Sequence, residues 1–305
     1  MIDTHAHLNF KDFDKDREEV ISRFFERGGR AIVNVGVDLG TSRKSIELAE
    51  RHNKVFAAVG LHPEFFMEHE AWNMEQNWIG ELRELAKCEK VVAVGECGLD
   101  YFRLREFKKP DFSRGNPVSV EKIKEIQRAG FIAQIEIAKE LGLPVVVHCR
   151  NAGVTDSADM ADRADEKSAW EDLYNIISNL KLKIQNTRYQ IQDTNFVLHC
   201  YSGEKKDTED FLKLSNVYFS FSGNITYPRP VERAEKLAEA VRMIPLDRMM
   251  LDSDSPYLAP QEFRGKRNEP ARVRHIARKI AEIKEISEEY VEEITDKNAE
   301  KFFRI

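Results

Sequence analysis

Short apolar, β-branched runs recur along the chain. They are MIDTHAHL at 1–8, AIVNVGV at 31–37, KVFAAVGLH at 54–62 and KVVAVGECGLD at 90–100, then LPVVVHC at 143–149, NFVLHC at 195–200, NVYFSFSG at 216–223 and DRMMLDSD at 247–254. Each is too short for a helix and reads as a strand. Between them lie charged stretches with apolar residues at helical spacing. In DREEVISRFFERGG, Val20, Ile21, Phe24 and Phe25 fall on one face and Gly28 and Gly29 end the helix, while FIAQIEIAKELGLP stops at Gly142 and Pro144. Further helical patterns occupy 41–52, 75–88, 168–187, 207–215 and 230–243, with two more in the tail at 271–283 and 287–303. Strands that are near-continuous apolar runs, alternating with helices, are what a parallel sheet covered by helices demands. Eight such alternations favour an α/β fold of the (β/α)8 TIM-barrel type over an open sheet, with extra C-terminal helices packed outside it.

On this reading the 305 residues form one barrel domain, with a helical tail over 271–305 and two long connections on the C-terminal rim, where barrel enzymes bind substrate. The connection near 101–119 carries Arg103, Arg105, Lys108, Lys109 and Arg114 against two acids, a local charge of +3. The one near 150–167 is acidic, at −4 over 156–166. The whole chain is also acidic, with a formal charge of −6, so it does not hold nucleic acid by bulk electrostatics. The four cysteines form no CxxC pair, which argues against a disulfide scaffold or a Cys-type zinc module. Met1 leads straight into IDTHAHL, with no basic and apolar leader and no run long enough to span a bilayer, so the chain reads as cytoplasmic, without membrane or obligatory protein partner.

The chemistry is concentrated at strand ends. Of eight histidines, His5, His7, His62, His148 and His199 lie at or just past the C-terminal end of a predicted strand. Residues two apart on a strand share a face, so THAH aligns His5 and His7, with Asp3 beside them. Glu96 in VGECGLD and the pair Asp252 and Asp254 end two other strands. Imidazoles and carboxylates converging in this number are costly to bury unless something pairs them, and divalent metal ions do so. Six or seven such ligands suit two metals sharing a carboxylate. Cys97, Cys149 and Cys200 each follow one of these residues, so strand alternation points their thiols away from the site, as small buried apolar groups.

Taken in order, MIDTHAHL, VGLHP, GECGLDYFR, LPVVVHCRNA, VLHCYSG, DSDSPYLAP and RGKRNEPARV resemble the TatD-related deoxyribonucleases nearly end to end. The resemblance implies a metal-dependent hydrolase that cleaves the phosphodiester bonds of DNA, as an exonuclease, with a water activated by two divalent ions. It implies metal ligation by His5, His7, Glu96, His148, His199 and Asp254. His5 and His7 would serve one ion, His148 and His199 the other, and Glu96 would bridge them. Glu96 and Asp254 are the implied catalytic residues, Asp254 orienting or deprotonating the water. His62, Arg103 and Arg150 would contact the substrate phosphate. The imidazole-rich donor set suits Zn or Mn, whereas the family commonly uses Mg. The alternative is an amidohydrolase or esterase on the same barrel, acting on a small or non-DNA substrate; a metal-storing or scaffold protein that has lost activity is a third reading.

The chain departs from the family pattern in places. Asp252 replaces the usual Glu, which shortens the arm by a methylene and is expected to loosen any contact that acid makes, to metal or to the residues around it, or to leave it bridged by water. Tyr201 replaces the commoner Phe, adding a hydroxyl that could donate to substrate but is expected instead to sit in solvent with the ring packed. Lys266 and Arg267 of RGKRNEP read equally as rim residues or as solvated charges.

Overall fold

Eight parallel strands pair in chain order into one sheet. The computed structural model describes residues 1–68, 78–102, 104, 119–151, 168–184 and 194–305, with side chains to 179 in the fifth of these segments. The strands are β1 (Ile2–Ala6), β2 (Ala31–Val35), β3 (Val55–Val59), β4 (Val91–Asp100), β5 (Val145–Arg150), β6 (Phe196–Leu198), β7 (Val217–Phe221) and β8 (Met249–Leu251). The helices are α1 (Arg17–Glu26), α2 (Leu39–Arg51), α3 (Phe65–Glu68), α4 (Trp78–Ala86), α5 (Val120–Leu141), α6 (Ala169–Ile184), α7 (Lys205–Leu212), α8 (Val231–Met243), α9 (Val273–Lys284) and α10 (Glu288–Phe303). Every predicted strand and helical pattern therefore has its counterpart. Arg103 and nearly all of the two long rim connections, including the acidic stretch 156–166, lie outside the described residues.

The sheet closes on itself just past the end of β8. Ser255 bridges Ala6 in parallel, the His7 N–H donates to the Ser255 carbonyl at 2.7 Å, and the Asp254 N–H donates to the His5 carbonyl at 2.9 Å. The Thr4 hydroxyl adds a bond to the Leu251 carbonyl. Alternate strand residues Ile2, Val33, Val35, Ala58, Ala93, Val146, Val197 and Met250 form one buried cluster. A cluster drawn from strands all around the sheet fills the barrel interior, and Phe302 and Phe303 of α10 join it, so the helical tail covers one end. The other strand faces pack on the helices; Val20, Ile21 and Phe24 of α1 are buried there as their spacing predicted.

Strand β4 is the longest, and its buried length runs from Val91 into the site. Its pairing with β5 shifts register between Val94 and Cys97. Gly98 makes the close approach possible: with φ at +143°, a β-carbon there would lie 2.0 Å from the His148 carbonyl oxygen. The consequence is that Glu96 and Asp100, on the same face by the two-residue repeat, both meet His148 of β5.

Candidate metal centre

The polar ends of β1, β4, β5 and β8, and the residues just after β3 and β6, meet in one cleft of about 800 Å³. Glu96 is its hub. Its Oε1 lies 2.8 Å from His148 Nδ1 and 2.8 Å from His199 Nε2, while Oε2 lies 3.4 Å from His5 Nε2 and 3.6 Å from His7 Nε2. Asp254 Oδ1 faces the same pair, at 4.0 Å from His5 and 3.6 Å from His7. The two Nε2 atoms of His5 and His7 are 3.1 Å apart, and the His5 ring stacks on His199 with centroids separated by 3.9 Å. All six residues expected to ligate metal are thus brought together.

Asp254 reaches this place by an unusual backbone. It lies beyond β8 with φ at +50°, in the left-handed region, pinned by its N–H on His5 and by the Tyr257 N–H on its own carbonyl. Left-handed non-glycine residues of this kind concentrate at functional sites.

The donors fit divalent ions. Ligand atoms of three groups, His5–Glu96–His199, His5–His7–Asp254 and His62–Asp100–His148, each lie within 4.8 Å of one another. A polyhedron with bonds of about 2.1 Å has donor separations of roughly 3 to 3.5 Å, close to several of the distances above. Protonation is part of the fit. Burial and the neighbouring His199 push His5 down to about 3, and burial and His148 do the same to His62, so both imidazoles are neutral. Burial alone would raise Glu96, but His199, His62 and the hydrogen bonds from His148 and His199 hold it well below the usual carboxylate range. His148 is different. Burial lowers its pKa, but the hydrogen bonds to Asp100 and Glu96 outweigh that and raise it to about 10.

Other expectations change. His62, expected near substrate phosphate, has its Nε2 3.6 Å from Glu96 Oε1 and stands among the candidate ligands. Asp100 went unnoticed in the sequence, yet its Oδ2 is 3.1 Å from His148 Nε2; its four-residue spacing from Glu96 was the available signal. Asp3 turns into the β1–β8 seam, where it accepts bonds from the Ser253 N–H and hydroxyl and from the His5 N–H, and burial pushes it up to about 8. Asp252 is firmly held: the Ser220 and Ser222 hydroxyls and the Cys200 N–H bind its two oxygens.

Tyr201 is fully buried and its hydroxyl pairs with Thr208 Oγ1 at 3.0 Å, not with solvent. Cys97 and Cys149 belong to the core, but Cys149 and Cys200 also line the cleft, and at Cys200 the chain has left strand geometry, with φ at +46°. Burial raises all three thiols, so they are un-ionised. Arg150 lines the cleft with its guanidinium 3.7 Å above the Phe102 ring, and Arg233 of α8, which the sequence did not single out, lines it too. Arg267 is neither a cleft residue nor a free charge: it clamps Asp16 through two bonds of 2.7 and 2.6 Å.

The sequence profile of the TatD-related DNase family matches residues 2–304. A metal-dependent hydrolase of Bacillus subtilis, YabD, described as uncharacterised, is 35% identical over 305 residues, covering all of this chain and 99% of its own. The 3′-5′ ssDNA/RNA exonuclease TatD of Enterobacter lignolyticus is 29% identical over 309 residues, covering all of this chain and 99% of its own. Among solved structures, YJJV, a TatD homologue from Escherichia coli, superposes with a TM-score of 0.75 at 25% identity, covering all of this chain and 98% of that one.

Proposed function

The chain belongs to the TatD-related DNase family and is a metal-dependent hydrolase, and from that premise we propose that it cleaves phosphodiester bonds of DNA, as an exonuclease, with water as the nucleophile. The observation that carries this reading is the division of Glu96 between two histidine pairs, Oε2 toward His5 and His7 and Oε1 toward His148 and His199. A carboxylate placed so is suited to bridge two cations, and Asp254 would help to hold the one beside His5 and His7. Divalent ions bound there would lower the pKa of a water toward neutrality and offset the charge that builds on a phosphate.

The chain's own groups do the rest. Asp254 Oδ1, at 14% side-chain exposure, faces both the cleft and the His5–His7 pair, so it can orient the attacking water and take its proton. Arg150 is held at the rim by its stack on Phe102 and presents a planar fork to a phosphate, with Arg233 on another wall of the cleft. Asp100 sets the orientation of the His148 ring through Nε2. The exonuclease activity named for the Enterobacter relative supports a polynucleotide substrate.

End-labelled DNA strands, a small ester and a small amide, each incubated with protein loaded with Mg, Mn or Zn, test the reading. DNA shortened from one end, with at least about a hundredfold loss in Glu96→Ala and Asp254→Ala, supports it. Intact DNA with an Asp254-dependent cut of the ester or amide supports the alternative hydrolase instead.

A further inference from the structure

Beside the candidate metal centre, two aromatic rings line the cleft. Tyr257 is 55% exposed, although it sits at the cleft wall three residues after Asp254, with its N–H on the Asp254 carbonyl. Phe10 lies in the turn after β1 and stacks on the ring of His7, with centroids 4.6 Å apart and planes 12° apart. The two rings stand 6.4 Å from each other at 73°, and both line the cleft. They make a steep-walled notch beside His7, a candidate ligand. Across the barrel mouth, the Arg150 guanidinium lies over Phe102 at the ends of β4 and β5, the strands opposite the β1–β8 seam in the sheet order.

We propose that Phe10 and Tyr257 form a base-stacking subsite that holds a nucleobase beside the phosphate being cleaved. The inference rests on the nuclease reading and names how that site engages its substrate. A flat apolar ring with an open face takes any base through its π surface, and stacking of this kind is tolerant of sequence. A phosphate facing Asp254 and His7 brings the base of its own nucleotide within reach of the notch, since Phe10 touches His7 and Tyr257 is anchored to Asp254. A base paired and stacked in a duplex cannot enter without leaving its partner, at a cost of a few kcal/mol. Base recognition here therefore also selects single strands, and does so without reading sequence.

Tyr257 gives the cleaner test, because replacing Phe10 would also release the His7 ring. Single strands are prepared in which the nucleotides flanking the cleaved bond either carry bases or are abasic tetrahydrofuran sugars, and kcat/KM is measured on both. The wild type is expected to favour the base-bearing strand, and Tyr257→Ala to lower that preference by about tenfold or more, with Tyr257→Phe retaining it. 2-Aminopurine at the same position should be quenched on binding to wild type and less so with Tyr257→Ala, independent of turnover.

A folding defect lowers both substrates together and leaves the preference intact, so the ratio isolates stacking. If strands are cut but the preference is unchanged in Tyr257→Ala, the subsite is wrong and the nuclease reading stands. If the wild type cuts neither strand, the nuclease reading fails and the subsite falls with it.

Discussion

Asp252 holds the backbone of Cys200, its Oδ2 accepting the Cys200 N–H at 3.0 Å. Cys200 directly follows His199 and has a left-handed backbone, so this bond fixes the direction in which the His199 imidazole leaves the end of β6. The Ser220 and Ser222 hydroxyls on the same carboxylate fix Asp252 in turn.

Asp252→Ala strands the Cys200 N–H and two buried hydroxyls. The expected outcome is a stability loss of about 1–3 kcal/mol and metal affinity weakened by about 10- to 100-fold. Thermal unfolding and metal titration of the variant check both; unchanged metal affinity would show that Asp252 supports only the fold.

Loading the centre should release protons. His5 and His62 are already neutral at pH 7, whereas His148, raised to about 10, must lose its proton to ligate. Titration calorimetry at pH 7.5 in buffers of different ionisation enthalpy is expected to show about one proton or more released per chain, fewer in Asp100→Asn. The sign for stability follows from the same shift. In the metal-free chain, protonated His148 stabilises the fold fully below about 6.5, its unfolded value, and this is lost as pH rises toward 10. The metal-loaded chain should lack that alkaline decline.

Gly98→Ala places a β-carbon 2.0 Å from the His148 carbonyl oxygen at a φ that L-residues rarely adopt. Either β4 or β5 must move, and both Glu96 and Asp100 ride on β4. A loss of about 3 kcal/mol or more, with loss of metal binding, is expected from chemical denaturation and metal analysis. A variant as stable as the wild type would mean that the β4–β5 approach is looser than described.

Arg267 clamps Asp16 and lies over the Phe13 ring at 4.5 Å. The Arg267 hydrogen bond and charge hold the Asp16 carboxyl below its ordinary pKa. Its contribution is present above the unfolded value near 3.8 and is lost as pH falls through the lower folded value. Both side chains are partly exposed, so Arg267→Ala should cost about 1 kcal/mol in thermal unfolding at neutral pH, and the Asp16 part of that cost should fade in acid while the Phe13 contact remains. An undiminished difference at low pH would contradict the assignment.

The barrel was legible because its strands are buried on both faces and so read as continuous apolar runs. The convergence of His5, His7, Glu96, His148, His199 and Asp254 was legible because these residues end those runs and match a family pattern. Neighbours were harder to place where regular alternation breaks. Asp252 shares a face with Asp254 only if the strand continues, but β8 ends at Leu251 and Asp254 turns left-handed, so the two carboxylates part. Tyr201 follows the same kind of break at Cys200, and its hydroxyl finds Thr208 in the core. Asp100 shares a face with Glu96 across the register shift, a relation that hydrophobic pattern does not mark. Arg233 reaches the cleft from helix α8 and Tyr257 from the loop after β8, where no periodicity points inward.

The central claim is that the residues around Glu96 direct a water onto a DNA phosphodiester. A single turnover of a labelled single strand by metal-loaded protein in H2¹⁸O, with mass analysis of the released phosphate, tests it most directly. One ¹⁸O in the phosphate formed at the cut, with product formation suppressed in Asp254→Asn, is the predicted result; an uncut strand, or a cut strand whose phosphate carries no label, would contradict the account.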